Sequence, residues 1–228
     1  MLAEALRETI RVQDGRVPLL TGHLARLSAG GCDDDTIARV RAAAEAAAST
    51  WERSYGRMTV QVSTDGAVTV EISDRPSVID VPGGPRIAFV TAPVPHLPPG
   101  AAKPADRGQW DRAFEKVCGE ADVAVLVASA GGVIDTSHAT LWVRRGGSLL
   151  TPPSPPALAG VSRGIVFELG PGLGYEVAEV PLTPEEVDAA DEVLLTTAVA
   201  GARAVRGRGG EAASALSTAF DRLFAAGP

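Results

Sequence analysis

A proline-rich stretch divides the chain and limits what it can fold into. Residues 92–104 read APVPHLPPGAAKP, with five prolines and one glycine in thirteen positions. Because proline has no amide donor and a fixed φ, neither a helix nor a central strand can continue through this stretch. We therefore predict a stiff linker at about residues 92–104, between a smaller N-terminal domain (1–98) and a larger C-terminal domain (99–228).

The first part of the chain contains both strand and helix patterns. Alternating apolar runs at 58–62 and 68–72 flank Asp65-Gly66, which predicts a β-hairpin. Three aspartates at 33–35 precede an alanine-rich run that ends near Thr50, which predicts a helix with a capped N-terminus. Further predicted elements are a strand at 8–12, a helix at 23–29 and a strand at 87–90.

The second part also mixes helices and strands, so the predicted fold class is α+β. Thr183 to Glu186 (TPEE) is a capping box with proline at the first helical position. We expect Arg203–Arg208 to lie in a loop. The other predicted elements are helices at 107–119, near 160 and around 216–224, and strands at 123–128, 139–144, 175–180 and 192–196.

Composition and charge exclude several classes of partner. A net charge of −7 and a pI near 5.0 argue against nucleic acid. No apolar run approaches the roughly 20 residues of a membrane span, and no secretory signal is visible at the N-terminus. Two cysteines, Cys32 and Cys118, are too few for a disulfide framework or a zinc cluster, so no metal site is expected. These features predict a cytoplasmic protein.

Lys103 is the most suggestive single residue because it lies in the proline-rich stretch between the two predicted domains. Clefts between domains are common ligand sites. Partial desolvation there would lower the pKa of the amine and expose the neutral form that condenses with carbonyl groups. The alternative is an ordinary solvated lysine in a linker.

Five motifs occur in order along nearly the whole chain. They are Glu8–Arg11 (ETIR) with His23–Leu27 (HLARL), Lys103–Ala113 (KPADRGQWDRA), Gly132–Trp142 (GVIDTSHATLW), Leu158–Arg163 (LAGVSR) and Thr196–Val205 (TTAVAGARAV). Together they resemble the motifs of fold-type IV pyridoxal-phosphate enzymes, the class IV aminotransferases and aminodeoxychorismate lyases. The resemblance implies a two-domain α+β fold with a barrel-like sheet in the larger domain, pyridoxal 5'-phosphate as cofactor, a small-molecule amine as substrate, and a homodimer.

The resemblance also implies roles for individual residues. Lys103 would form the Schiff base with the cofactor and then move protons at the substrate carbon. Asp135 would pair with the pyridine nitrogen, and Arg26 would bind the phosphate. The other implied phosphate-binding residues are Gly160, Val161, Ser162, Thr196, Thr197 and Ala198. Arg107, Trp110, His138 and Thr140 would line the substrate pocket.

Three positions depart from the family pattern. Asp135 stands where glutamate is usual and is one methylene shorter, and Thr140 replaces an asparagine. Ala198 lies where a phosphate-binding hydroxyl is usual, so either Thr197 substitutes for it or the phosphate is held less tightly. All three departures lie at or near the implied cofactor site.

The favoured activity is that of an aminodeoxychorismate lyase, which forms 4-aminobenzoate and pyruvate from 4-amino-4-deoxychorismate. Thr196–Val205 resembles the lyase subgroup more than the branched-chain transaminases. One alternative is an amino-acid aminotransferase of the branched-chain or D-amino acid type. Another is a non-catalytic homologue that acts as a binding module, which the three departures motivate.

Overall fold

The computed structural model describes residues 1–226 and confirms the predicted α+β class. The chain begins with a three-stranded antiparallel sheet in the order β1-β2-β3, with two helices on one face. The predicted hairpin is confirmed as β2 and β3. The elements of this part are β1 (Leu6–Gln13), α1 (Leu20–Ala29), α2 (Asp34–Ser49), β2 (Tyr55–Val62) and β3 (Val68–Ser73).

Side chains of β1 alternate between the two faces of this sheet, as a period of two requires. Ile10 and Val12 are fully buried and belong to a core shared with Leu24 and Leu27 of α1. Burying each such side chain contributes roughly 1.5–3 kcal/mol. The opposite face of β1 is therefore left for polar side chains, among them Thr9.

The remaining strands form two further sheets. One has the order β4-β5-β6 and the other β11-β10-β7-β8-β9. Their bounds are β4 (Ile87–Thr91), β5 (Val123–Val127), β6 (Val133–Thr136), β7 (Thr140–Arg145), β8 (Ser148–Thr151), β9 (Glu176–Glu179), β10 (Glu192–Thr197) and β11 (Gly201–Ala204). The helices are α3 (Gly108–Glu115), α4 (Val161–Leu169), α5 (Pro184–Asp188) and α6 (Glu211–Ala225).

These two sheets share one apolar core. Val125 of β5, Val143 of β7 and Leu195 of β10 are fully buried in the same cluster. The hydrogen-bonded ladders of the two sheets nevertheless remain separate in the described residues.

The expected capping box is present at the start of α5, because Thr183 and Glu186 each accept from the other's backbone amide.

The proline-rich stretch returns the chain to the first sheet. β4 pairs in parallel with β5, so the chain has already reached the second group of strands before residue 92. It then runs back along β1, where the amide of Arg7 donates to the Lys103 carbonyl at 2.9 Å. This pairing places Lys103 beside β1. The division into domains 1–98 and 99–228 stays a prediction.

Three short strands are absent from the sequence prediction. β6, β8 and β11 have four residues each, which is too short for an alternating apolar pattern to be recognised in the sequence. Each is stabilised by pairing with a neighbouring strand. The prediction of a loop at Arg203–Arg208 is wrong for its first two residues. Arg203 and Ala204 belong to β11, which pairs with β10. No helix within residues 1–226 combines the length and apolarity that a bilayer crossing requires.

Candidate active site

A cavity of about 290 Å³ lies where the polar face of β1 and β2 meets β6, β7, β10 and the start of α4. It contains every predicted site residue except Trp110. The residues that line it are Arg7, Thr9, His23, Arg26, Arg57, Ser77, Val78, Lys103, Arg107, Asp135, Thr136, Ser137, His138, Ala139, Thr140, Leu158, Gly160, Val161, Ser162, Thr196, Thr197, Ala198 and Val199.

The amine of Lys103 faces this cavity and donates to Oγ1 of Thr9 at 3.0 Å. Burial lowers the pKa of Lys103 well below its ordinary value, and the nearby charges of Arg107 and Arg26 lower it further. This environment therefore favours the neutral amine over the ammonium form. A neutral amine is the form that attacks an aldehyde or accepts a proton.

Arg26 is held by a buried carboxylate on β1. Its Nε donates to Oε1 of Glu8 at 2.8 Å, its Nη2 donates to Oε2, and its Nη1 donates to the Ala159 carbonyl at 3.0 Å. Burial acts to raise the pKa of Glu8, but the Arg26 charge and the hydrogen bonds outweigh it and hold the pKa at about 2. Two of the five guanidinium N–H groups remain for a ligand.

His23 completes this network from α1. Its Nδ1 lies 2.6 Å from Oε2 of Glu8, and burial lowers the pKa of His23. The ring is therefore neutral, with Nδ1–H donating to Glu8 and the Nε2 lone pair facing the cavity. Within residues 1–226 that buried Nε2 atom has no hydrogen-bond partner.

The N-terminus of α4 lies beside Arg26. Gly160 precedes the helix without a side-chain cap, and Val161 and Ser162 line the cavity with first-turn amides that have no intrahelical acceptor. Such amides and the helix dipole favour an anion. A Cβ at Gly160 would lie 2.8 Å from Oγ1 of Thr140, so only glycine lets this turn approach β7 so closely.

Asp135 is a buried carboxylate that also lines the cavity. It accepts hydrogen bonds from the Thr136 and Leu158 amides at 2.8 and 3.3 Å. Trp110 donates to it through Nε1 at 3.3 Å. Burial nevertheless raises the pKa of Asp135 to about 6. Trp110 therefore lies behind Asp135 in the core, and the prediction that it lines the pocket is corrected, because its position on α3 faces inward.

The turn after β10 supplies hydroxyl groups. Thr196 Oγ1 accepts from Trp142 Nε1 at 3.1 Å, and Thr197 Oγ1 accepts from the Ala200 amide at 2.9 Å. Each hydroxyl hydrogen is left to donate. The turn is fixed to the first sheet by Arg11, whose Nη1 donates to the Val199 carbonyl at 2.7 Å. Thr197 thus provides a hydroxyl next to Ala198, where the sequence lacks one.

Arg107 and His138 form another part of the cavity wall. Arg107 donates to the Ser137 carbonyl at 2.5 Å, and His138 Nδ1 hydrogen bonds with Ser137 Oγ at 2.8 Å. Burial, together with the charges of Arg107 and Lys103, lowers the pKa of His138 to about 3. The imidazole is therefore neutral, and its edge-on contact with Phe114 at 5.1 Å makes it part of a packed wall.

Several lining residues escaped the sequence analysis. Arg7 and Thr9 flank Glu8 on β1, and Arg57 lies on β2. Their alternation identifies them as sharing a face of each strand. Nothing local, however, tells which face meets the cavity, because that depends on contacts with β6 and β10 far along the chain.

Known proteins resemble this chain in both sequence and fold. The family model described as amino-transferase class IV matches residues 5–207. A segment of 89 residues is 34% identical to branched-chain-amino-acid aminotransferase 1, mitochondrial, from Arabidopsis thaliana, and that match spans 38% of this chain and 23% of the relative.

Solved structures match over nearly the whole chain. A hypothetical aminotransferase from Mycobacterium tuberculosis in a PLP-bound form has a TM-score of 0.81 at 22% identity, covering 97% of this chain and 89% of its own. A candidate 4-amino-4-deoxychorismate lyase has a TM-score of 0.79 at 22% identity, with 95% and 89% covered. The Escherichia coli branched-chain amino acid aminotransferase has a TM-score of 0.79 at 20% identity, with 97% and 86% covered.

These likenesses show a shared fold, and the family match covers most of the chain. It includes the cavity residues from Arg7 to Val199. The chain therefore belongs to the amino-transferase class IV family.

Proposed function

We propose that this chain is a pyridoxal-phosphate-dependent class IV enzyme in which Lys103 binds the cofactor covalently. The supporting observation is that one cavity contains an amine of lowered pKa, an anion site and a buried carboxylate. This combination matches the three polar features of the cofactor: its aldehyde, its phosphate and its ring nitrogen.

The residues present fit the cofactor. Arg26 has two free guanidinium N–H groups beside the first-turn amides of Val161 and Ser162, so these groups would bind the phosphate. The Thr197 hydroxyl would add a donor. Asp135 would hold a proton on the ring nitrogen, because the ionised form of a buried carboxylate is stabilised by a positively charged partner.

Pyridoxal phosphate, when bound, supplies an electron sink for the electrons left at a substrate carbon that loses a proton. Lys103 would supply the base, since burial lowers the pKa of its amine and favours the neutral form. Thr9 orients that amine by a hydrogen bond at 3.0 Å. His138 forms part of the cavity wall, where it packs edge-on against Phe114.

We propose 4-amino-4-deoxychorismate as the substrate and lyase chemistry as the reaction. The ring loses one proton and the enolpyruvyl group, and the products are 4-aminobenzoate and pyruvate without any second substrate. The Thr196–Val205 motif supports this proposal. The arginines that line the cavity also suit an anionic substrate.

Transamination of an amino acid is the second candidate. The 89-residue similarity to a branched-chain aminotransferase favours it. Lys103 would then move a proton between the substrate carbon and the cofactor carbon, and a keto acid would be needed to complete the cycle.

Covalent attachment of the cofactor is tested by reduction with borohydride followed by peptide mapping. The chain has two lysines, so Lys116→Ala provides a matched control for Lys103→Ala. Lys116 is exposed and donates to the Thr91 carbonyl, away from the cavity. Labelling in the wild type and in Lys116→Ala, but not in Lys103→Ala, supports the proposal. Unlabelled Lys103 in the wild type contradicts it.

Product analysis separates the reactions. The holoenzyme is incubated with 4-amino-4-deoxychorismate alone, and in parallel with D- and L-amino acids plus a keto acid. Pyruvate and 4-aminobenzoate without an acceptor support the lyase, whereas acceptor-dependent turnover supports transamination. Cofactor attachment without any turnover supports the non-catalytic binding module.

We propose a homodimer from the family resemblance and a cytoplasmic location from the sequence features given above. Sedimentation equilibrium at micromolar concentration tests the first, because a monomer of 23.4 kDa contradicts it. Fractionation of the native host tests the second.

A further inference from the structure

Arg7 is a cavity arginine without a counterion. It precedes Glu8 on β1, and alternation directs the two side chains to opposite faces of the sheet. Glu8 contacts His23 and Arg26 of α1, whereas Arg7 lines the cavity. Within residues 1–226, no carboxylate oxygen lies within ion-pairing distance of the Arg7 guanidinium, and its buried Nε has no hydrogen-bond partner.

The surroundings of Arg7 are strongly cationic. Arg57 and Arg107 line the same cavity. Burial lowers the pKa of Arg57, and the Arg7 charge lowers it further. Among the lining residues of the described chain, Asp135 is the one carboxylate. This excess of positive charge is costly in a partly buried site and is relieved when an anion binds.

This charge is separate from the proposed phosphate site. Arg26 has its charge balanced by Glu8, and its third contact is with Ala159 next to α4. The Arg7 backbone pairs with that of Lys103, and the Arg7 side chain shares a face of β1 with Thr9, whose hydroxyl accepts from the Lys103 amine. An unbalanced planar guanidinium there can bind a carboxylate through two parallel hydrogen bonds.

We propose that Arg7 binds a second acidic group of the substrate, so that the site selects dianionic substrates over monoanionic ones of the same length. The proposal rests on the cavity being the substrate site of the proposed function. It names a specificity-determining residue, and the substrate class is a compound with two carboxylates.

The test compares the binding of glutarate and pentanoate, which have the same number of carbons and differ in one carboxylate. Calorimetry on the cofactor-loaded wild type should show glutarate binding roughly 10- to 100-fold more tightly, the range of a charged hydrogen-bonded pair. Arg7→Met should remove most of that preference and leave pentanoate affinity within about twofold. Arg7→Lys, which keeps the charge but not the planar fork, should be intermediate.

Arg53→Met is the control for net charge, because Arg53 lies on the surface and does not line the cavity. It should retain the full glutarate preference. Unchanged preference in a folded Arg7→Met protein, with a wild-type circular dichroism spectrum, overturns the proposal. An equal loss of the glutarate preference in Arg53→Met also overturns the proposal.

The same titrations without cofactor separate this proposal from the proposed function. If Lys103 fails to bind the cofactor but Arg7→Met still abolishes the glutarate preference, the anion subsite stands and the proposed function fails. If the cofactor binds and the preference is independent of Arg7, the proposed function stands and the subsite fails.

Discussion

Lys103 Nζ lies 3.0 Å from Thr9 Oγ1, so an amine from the proline-rich stretch is positioned by a hydroxyl on β1. The backbone reinforces this contact, because the Arg7 amide donates to the Lys103 carbonyl at 2.9 Å. The Lys103 segment and β1, which are almost a hundred positions apart in the sequence, are thereby joined. Orientation of the amine then depends on strand pairing rather than on local helix or turn structure.

Thr9→Val should lower the pKa of Lys103 further. The Thr9 hydroxyl accepts a hydrogen bond from the Lys103 amine, and this bond is stronger when the amine is charged than when it is neutral. Removing the hydroxyl therefore disfavours the ammonium form. The pH at which the cofactor-free amine reacts at half its maximal rate with an acylating reagent should fall by about half a unit to one unit. Mass spectrometry of the Lys103 peptide, with the Lys116 peptide as internal reference, measures this shift. A rise in the midpoint contradicts the role given to Thr9.

Gly160→Ala should weaken phosphate binding. A Cβ there would lie 2.8 Å from Thr140 Oγ1, which forces the first turn of α4 away from β7. We expect affinity for pyridoxamine phosphate to fall about tenfold, the effect of one weakened charge-assisted contact. Calorimetry measures it.

Gly164→Ala is the matched control in the same helix, because no atom lies within 4 Å of its Cβ position. It should bind normally and raise the free energy of unfolding by about 0.5–1 kcal/mol. Adding Thr140→Ala to Gly160→Ala should restore binding. If it does not, close approach to β7 is not the reason for the glycine.

The sequence predicts the local features well, since they depend on residues a few positions apart. Asp33 caps α2 by accepting from the Thr36 amide, and the hairpin turns at Gly66, as their side chains require. Trp110 and Arg7 are different. Whether a helix or strand residue faces a cavity or the core depends on packing against distant elements. The sequence pattern therefore left Arg7 without a role and placed Trp110 in the pocket wall.

The site motifs carried more information than the fold pattern. Lys103, Arg26 and Asp135 belong to separate motifs and line one cavity in the structure. Glu8, which holds Arg26, belongs to a predicted strand, and its role appears only when α1 packs on that strand.

Glu8→Gln should remove a pH-dependent part of the stability. The folded-state pKa of Glu8 is about 2, below the ordinary value of 4.5. Its contribution is therefore fully present above about pH 4.5 and is lost as the pH falls toward 2, on the order of 3 kcal/mol in total. Urea unfolding of wild type and Glu8→Gln between pH 6 and 2.5 measures the difference.

The gap between the two free energies of unfolding should be widest at pH 6 and narrow steadily in acid. Glu45→Gln serves as the control, because Glu45 is an exposed residue of α2 that pairs with Arg41 at the surface. A gap that stays constant over this range excludes titration of Glu8 as the cause.

Asp135 should make cofactor binding dependent on pH near 6. Burial raises its pKa to about 6, so the carboxyl is half protonated there and fully ionised at pH 8. A protonated ring nitrogen beside it favours the ionised form, and binding should therefore weaken as the pH falls below 6, by up to about tenfold per unit. The ligand for this measurement is pyridoxamine phosphate, which has no aldehyde and cannot bond to Lys103.

The phosphate itself titrates near pH 6, so the comparison with Asp135→Asn is decisive. That variant keeps the shape of the side chain and the phosphate titration but has no carboxylate to ionise. Its affinity should be lower at pH 8 and should change less between pH 8 and 5 than that of the wild type. Identical pH profiles for the two proteins would show that Asp135 does not pair with the ring nitrogen, and the shorter side chain at this position would then leave that nitrogen without a carboxylate partner.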